Sequence, residues 1–273
     1  MDQRRTYQIF RRVNWMFGSR IVVLSKNILA TTLGRAAEHL GYVPKLVDSA
    51  RIDLTRDLPF MKLYHACEAY TMTSVERMYA LYLAVQYVVA ARIPGCIVEC
   101  GVWRGGSCML TARVMMEAGD LRDIWLYDTF EGMVQPGDLD VRYDGKPARQ
   151  RWAELGGGSN WCAASLQEVR LNLSSTGYPE QKLRFIKGRV EETLKANRPE
   201  EVSLLRLDTD WYESTKAELE TLFPLLSHGG VLIVDDYGHW DGAKRAVDEY
   251  LSKNRVKTLL NRIDYTGRVA VKT

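Results

Sequence analysis

The rhythm of apolar and polar positions changes near residue 94. From Ser74 to Ala91 the apolar residues Val75, Met78, Tyr79, Leu81, Tyr82 and Val85 recur at helical spacing, and Pro94-Gly95 ends the run. Upstream, helical segments are broken at Gly41-Tyr42-Val43-Pro44 and Leu58-Pro59-Phe60. Downstream, short apolar runs alternate with turns and helical stretches. Strands are expected at Cys96–Cys100, Ile124–Tyr127, Leu183–Ile186, Val202–Leu207 and Val231–Val234, with helices over 107–117, 163–173, 214–223 and 242–252. That alternation predicts a parallel sheet with helical crossovers, an α/β fold. Two final apolar runs, Val256–Leu260 and Val269–Lys272, predict a closing β-hairpin. The Gly-, Asp- and Pro-rich segment 132–160 is too long for a plain connection and is expected to border a site.

Two of these strands end in acid. Leu207-Asp208-Thr209-Asp210 and Val234-Asp235-Asp236-Tyr237 would bring four carboxylates together if the strands are parallel neighbours. The carboxyl edge of an open α/β sheet is where ligands bind. Mutual repulsion raises the pKa values of such a cluster, and a hard divalent cation with oxygen ligands, Mg²⁺ or Mn²⁺, relieves it. Blander roles compete with this one. Asp210 could cap the helix that follows, and Asp236 could bond nearby backbone.

The turn after the first strand reads Glu99-Cys100-Gly101-Val102-Trp103-Arg104-Gly105-Gly106-Ser107. Glycines here let the backbone approach a ligand at a helix N-terminus, but the Gly-x-Gly-x-x-Gly spacing of a dinucleotide site is missing. An NAD-linked dehydrogenase is therefore disfavoured. Glu99 suits a cationic group such as an amino-acid ammonium, and Asp128, closing the second strand, suits the hydroxyls of a ribose. Together with the glycine turn, the two acids point to S-adenosylmethionine.

Composition narrows the partners. A formal net charge of +3 with dispersed basic residues gives no nucleic-acid footprint. The five cysteines include no Cys-x-x-Cys pair, so buried free thiols and a reducing cytoplasm are expected in place of disulfides or zinc. Arg20 and Lys26 interrupt the apolar stretch Val13–Leu33, which leaves no transmembrane span. Arg4, Arg5, Arg11 and Arg12 ahead of it give a faint signal-peptide or membrane-surface character. The simpler expectation is a helix that packs on the domain or on a second subunit, making a homo-oligomer.

Three segments carry a family likeness: Val98–Ser107, Leu205–Thr215 and Gly229–Trp240. They closely resemble the macrocin O-methyltransferase family, which includes mycinamicin and aminocoumarin sugar O-methyltransferases, and the likeness spans about residues 60–255. The resemblance implies a Rossmann-like class I methyltransferase with a mostly parallel seven-stranded sheet and a C-terminal β-hairpin. Residues 91–273 would form that domain, and residues 1–90 a helical N-terminal extension. It implies Mg²⁺-dependent methyl transfer from S-adenosylmethionine to a sugar or glycoside hydroxyl, with Asp208, Asp235 and Asp236 on the metal and Asp210 as general base. Tyr70–Ser74, with Thr71 and Met72, would cover the methionine end of the cofactor. The turn from Gly101 to Ser107 would hold it, Asp128 would bind its ribose, and Gly188 would lie near adenine.

Metal assistance makes chemical sense, because a sugar hydroxyl is a poor nucleophile at neutral pH. A catechol or phenol O-methyltransferase would share this logic, and a non-enzymatic cofactor-binding scaffold is the remaining alternative. His239 is a candidate for orienting a ligand or for proton transfer. Trp103, Trp161, Trp211 and Trp240 are candidates for stacking on substrate or adenine, and Phe60 and Tyr64 for a lid over the acceptor. The acceptor itself is not legible.

Overall fold

A computed structural model describes residues 51–273. Expectations about residues 1–50, including membrane-surface and self-association roles, lie outside the described residues. The compact unit runs from Asp53 to Thr273.

Its elements follow the sequence pattern closely. Helix α1 (Leu58–His65) starts at Asp57, whose carboxylate accepts from the Phe60 amide. Helix α2 (Val75–Ala90) starts at Ser74, whose hydroxyl accepts from the Arg77 amide and satisfies one of the free N–H groups of the first turn. Its buried face is Met78, Leu81, Tyr82, Val85 and Val88, one stripe at helical spacing. Strand β1 (Cys96–Cys100) and helix α3 (Gly106–Ala118) come next, then β2 (Ile124–Asp128), the short helix α4 (Ala148–Glu154) and α5 (Leu166–Ser174). The rest are β3 (Leu183–Lys187), β4 (Val202–Leu207), α6 (Tyr212–Leu222), β5 (Leu226–Val234), α7 (Asp241–Lys253), β6 (Asn261–Arg262) and β7 (Arg268–Val271).

The seven strands form one sheet in the order β3-β2-β1-β4-β5-β7-β6. Strands β1 to β5 are parallel, and β7 runs antiparallel to both β5 and β6. Every residue of β1 and β4 is buried, as expected of parallel strands covered on both faces. Alternate side chains feed two cores. Ile97, Leu126, Leu204 and Ile233 pack with α1, α2, α3 and α5 on one face. Val98, Leu205, Leu207 and Leu232 pack with α6 and α7 on the other. Helices α1 and α2, which fall within the expected helical extension 1–90, pack into the sheet's core.

Two expectations are corrected. Val256–Leu260 is not a strand: Val256 and Leu260 rest on the second core, Leu259 is 75% exposed, and the hairpin arm that pairs with β7 is confined to Asn261–Arg262. Phe60 and Tyr64 form no lid. Phe60 is fully buried among Tyr64, Tyr79 and Tyr82, so its ring area is spent in the core. Four of the five cysteines are buried, Cys162 partly so, and all are free thiols. No helix among the described residues is long and apolar enough to cross a membrane.

Candidate active site

The strand order makes β1 and β4 neighbours, and β4 and β5, so the glycine turn and both acidic turns emerge side by side. The Asp208 amide donates to the Cys100 carbonyl at 2.8 Å, and the Asp235 amide to the Leu207 carbonyl at 2.9 Å, which carries the parallel pairing one residue past each strand. Gly101, at φ +84°, sits so close that a Cβ there would lie 1.9 Å from the Asp208 carbonyl oxygen. Only glycine suits both the backbone angle and the approach.

A cavity of about 420 Å³ opens along this edge. Of the residues singled out by sequence, Thr71, Met72, Gly101, Ser107, Asp128, Gly188, Asp208, Asp210, Asp236 and His239 line it, as do all four candidate tryptophans. Glu99 and Asp235 are buried and do not line it. The long segment contributes Gly132, Met133 and Val134, so it does border the site.

At one end the carboxylates are fully engaged. Asp128 accepts from the amides of Val102 (2.7 Å), Trp103 (3.0 Å) and Phe130 (2.7 Å). Glu99 accepts from the Ser107 hydroxyl, the Cys108 thiol at 3.1 Å and the Arg206 guanidinium at 2.7 Å. An ammonium would reach Glu99 only by displacing those donors, which differs from the direct contact expected of it.

At the other end two arginines stand among the acids. Arg206 is 2% exposed and reaches Asp208 at 2.7 Å, Asp235 at 2.9 Å and the Thr73 hydroxyl at 3.0 Å, besides Glu99. Arg77 pairs with Asp235 and, at 3.1 Å, with Asp264, which also accepts from the Ser74 hydroxyl at 2.7 Å. Sequence reasoning missed both. The signal was present in part: Glu99 and Arg206 are the charged residues of two otherwise uncharged strand cores, and they stand opposite each other in the β1–β4 register.

Asp210 does not cap α6. The N-cap position is Trp211, with no side-chain cap, and Asp210 takes a left-handed backbone at φ +68°. Its Oδ1 accepts from the Trp240 indole N–H at 2.7 Å, and the Asp236 carboxyl influences it. Burial lifts Asp210 to about 6, opposed by Asp236 and the Trp240 bond, and lifts Asp208 to about 8, opposed by Arg206 and reinforced by Asp235. Asp236 rises too, through burial and the charge of Asp210. The His239 imidazole is lowered by burial and Arg142, and its Nδ1 lies 2.9 Å from the Tyr265 hydroxyl. Trp161, Trp211 and Trp240 pack edge to face beside Asp210, with Trp211 and Trp240 centroids 5.1 Å apart.

Sequence assigns Asp208, Asp235 and Asp236 to a metal ion. Among the described residues no group of three or more His, Cys, Asp or Glu side chains is arranged to hold a metal ion, and Arg206 pairs with one oxygen each of Asp208 and Asp235. The donor chemistry nonetheless fits a hard cation. Asp235 Oδ1 and Asp236 Oδ2 are buried without a hydrogen-bond partner, an arrangement that costs free energy until something positive meets it.

A seven-stranded sheet of this order, reversed at its last long strand and with a glycine turn after β1, defines a class I methyltransferase fold. Residues 23–272 match the family model for macrocin-O-methyltransferase (TylF). The chain is 36% identical over 201 residues to a demethyldecarbamoylnovobiocin O-methyltransferase of Streptomyces niveus, covering 73% of this chain and 74% of that one. It is 32% identical over 201 residues to a mycinamicin III 3''-O-methyltransferase of Micromonospora griseorubida, covering 73% and 77%. The solved O-methyltransferase NovP superposes with a TM-score of 0.66 at 34% identity, over 75% of this chain and 82% of that one. The calicheamicin methyltransferase CalS11, at 18% identity and TM-score 0.59 over 94% of each chain, shares the fold. The chain belongs to the macrocin-O-methyltransferase family. It is an S-adenosylmethionine-dependent O-methyltransferase.

Proposed function

We propose that this enzyme methylates a hydroxyl of a sugar or of a glycosylated small molecule, as a tailoring step in antibiotic biosynthesis. The observation that carries the proposal is a shared cavity. The glycine turn and Asp128 line one part of it, and Asp208, Asp210 and Asp236 line another. The activities of the relatives, O-methylation of demethyldecarbamoylnovobiocin, of a rhamnosyl-tetracenomycin and of mycinamicin III, support a glycoside acceptor.

In this reading the segment with Thr71 and Met72 covers the methionine end of the cofactor. The turn from Gly101 to Ser107 holds its body, Asp128 meets the ribose hydroxyls, and Gly188 lies by adenine. Glu99 acts from behind the wall by ordering Ser107 and Arg206. Asp208, Asp235 and Asp236 would hold Mg²⁺ or Mn²⁺, which when bound would polarise the acceptor hydroxyl.

Asp210 is the general base. Trp240 fixes its Oδ1, and the carboxylate's remaining lone pairs receive the hydroxyl proton. A base near pKa 6 is mostly ionised at neutral pH and still basic enough to serve. The aromatic wall of Trp161, Trp211 and Trp240 keeps water away and aligns the acceptor for in-line transfer, a contribution of several kcal/mol in comparable positioned reactions.

The test uses purified protein with S-adenosylmethionine, matched panels of glycosides and catechols, and mass spectrometry of the products. Gain of one methyl group on glycosides, abolished by a chelator and restored by Mg²⁺, is expected. Full turnover in chelator would sink the metal role, and methylation of catechols alone would sink the sugar role.

A further inference from the structure

One buried carboxylate has no part in the mechanism above. Asp140, in the long segment between β2 and α4, is 2% exposed. Buried carboxylates usually pair with a cation, but both oxygens of this one accept from main-chain amides. Its Oδ1 accepts from Tyr212 at 2.8 Å and its Oδ2 from Gly137 at 2.6 Å. Tyr212 opens α6, whose N-cap residue Trp211 offers no side-chain cap. Asp140 therefore does from another element what an N-cap side chain does from its own. It also lies against the start of α7, where a Cβ on Gly242 would stand 2.1 Å from its Oδ1.

The two helices it touches follow the two acidic turns. Asp210 stands two residues before Tyr212, and Trp240, which donates to Asp210 Oδ1, stands two before Gly242. The chain on either side of Asp140 is tied to the same turns. The Trp211 indole donates to the Val134 carbonyl at 3.1 Å, the Asp241 amide to the Val141 carbonyl at 2.8 Å and the Tyr143 amide to the His239 carbonyl at 3.0 Å. A left-handed backbone outside glycine persists only where its surroundings hold it, and Asp210 has one at φ +68°. The base and the indole that orients it come from different turns, so one turn must be fixed against the other. Asp140 is the side chain placed to do so.

We propose that Asp140 is a positioning residue for methyl transfer. By holding the start of α6 against the start of α7 it sets the Asp210–Trp240 pair, and hence the reach of the base to the acceptor hydroxyl. This inference rests on Asp210 as general base in the reading above, and adds the residue of the long segment on which that base depends.

The experiment follows the tryptophan indole N–H resonances by NMR in isotope-labelled protein saturated with S-adenosylhomocysteine, with the Trp240 signal assigned by its loss in Trp240→Phe. In Asp140→Ala that signal is expected to move toward the position of an unbonded indole and to exchange with solvent about tenfold faster. The Trp125 signal from β2 and the calorimetric affinity for S-adenosylhomocysteine should hold. Asp140→Asn keeps an acceptor for the Tyr212 amide and should restore the Trp240 signal. Gly242→Ala favours the helix yet crowds Asp140 Oδ1, so it should reproduce the Asp140→Ala shift. On a glycoside acceptor, kcat in Asp140→Ala should fall about tenfold or more with KM unchanged. That fall should vanish in an Asp210→Asn background, because Asp140 acts through that carboxylate. A Trp240 signal unmoved in both Asp140→Ala and Gly242→Ala would overturn the positioning role. So would a change of every indole signal together with cofactor affinity, or an undiminished loss of kcat in the Asp210→Asn background. Full turnover in Asp210→Asn alone would instead overturn the base reading, and the indole signal does not depend on it.

Discussion

The two ends of the cavity use carboxylates in opposite ways. Around β1 and β2, Asp128 and Glu99 have donors on both oxygens. Around β4 and β5, Asp235 Oδ1 and Asp236 Oδ2 are buried with no partner, and Asp208, Asp210 and Asp236 all hold protons more tightly than exposed carboxylates do. At the first end every carboxylate oxygen already has a donor. The second is short of positive charge even with two arginines inside it, which is the condition of a site that works by taking up a cation and a proton.

The largest break in this contrast is expected at Asp210. Asp210→Asn keeps the size and the Trp240 bond but removes the base, and turnover is expected to fall about 10²- to 10⁴-fold. Calorimetry should find S-adenosylhomocysteine affinity unchanged, because the cofactor end is untouched. Loss of cofactor affinity in this variant would mean that the two ends are not separable.

Arg206 joins them, so its removal should damage both. Arg206→Leu leaves Glu99, Asp208 and Asp235 without their shared guanidinium and is expected to cost about 3–5 kcal/mol in denaturant unfolding. A loss below 1 kcal/mol would show that the acids relax without it.

Trp240→Phe is a smaller cut. It removes one hydrogen bond donated to the Asp210 carboxylate while keeping an aromatic ring, and turnover should drop roughly ten- to hundredfold. Cofactor binding and melting temperature should hold.

The acid end also gives a pH signature. Asp208 near 8 and Asp210 near 6 in the folded chain, against an ordinary value of 3.8, bind protons more tightly folded than unfolded. Their stabilising contribution is therefore full below about pH 4 and is lost as pH rises through 6 to 8. Urea midpoints of metal-free protein should fall between pH 5 and pH 8, and Asp210→Asn should flatten the lower part of that fall. Turnover should move the other way, rising through pH 6 as Asp210 ionises.

Much of this was legible in the chain, unevenly. Parallel strands, crossovers and the acid-bearing turns follow from local apolar runs and the acids that end them, which is why Cys96–Cys100 and Val202–Leu207 were placed to the residue. The hairpin was displaced because Val256–Leu260 is apolar for packing against α7's core and not for pairing, and periodicity cannot separate those causes in five residues. Arg77 and Arg206 were invisible as site residues because their partners lie on other elements. Only the β1–β4 register brings Arg206 opposite Glu99, and only the turn at Asp264 completes the cage around Arg77.

On the proposed mechanism the acid end would take up one divalent cation and need it for methyl transfer. The direct measurement is calorimetric titration of Mg²⁺ into chelator-stripped protein saturated with S-adenosylhomocysteine, paired with turnover on a glycoside acceptor. The account predicts one Mg²⁺ bound per chain, abolished in Asp236→Asn, with turnover absent before the addition and restored by it. No Mg²⁺ binding together with full turnover in the stripped protein would contradict it.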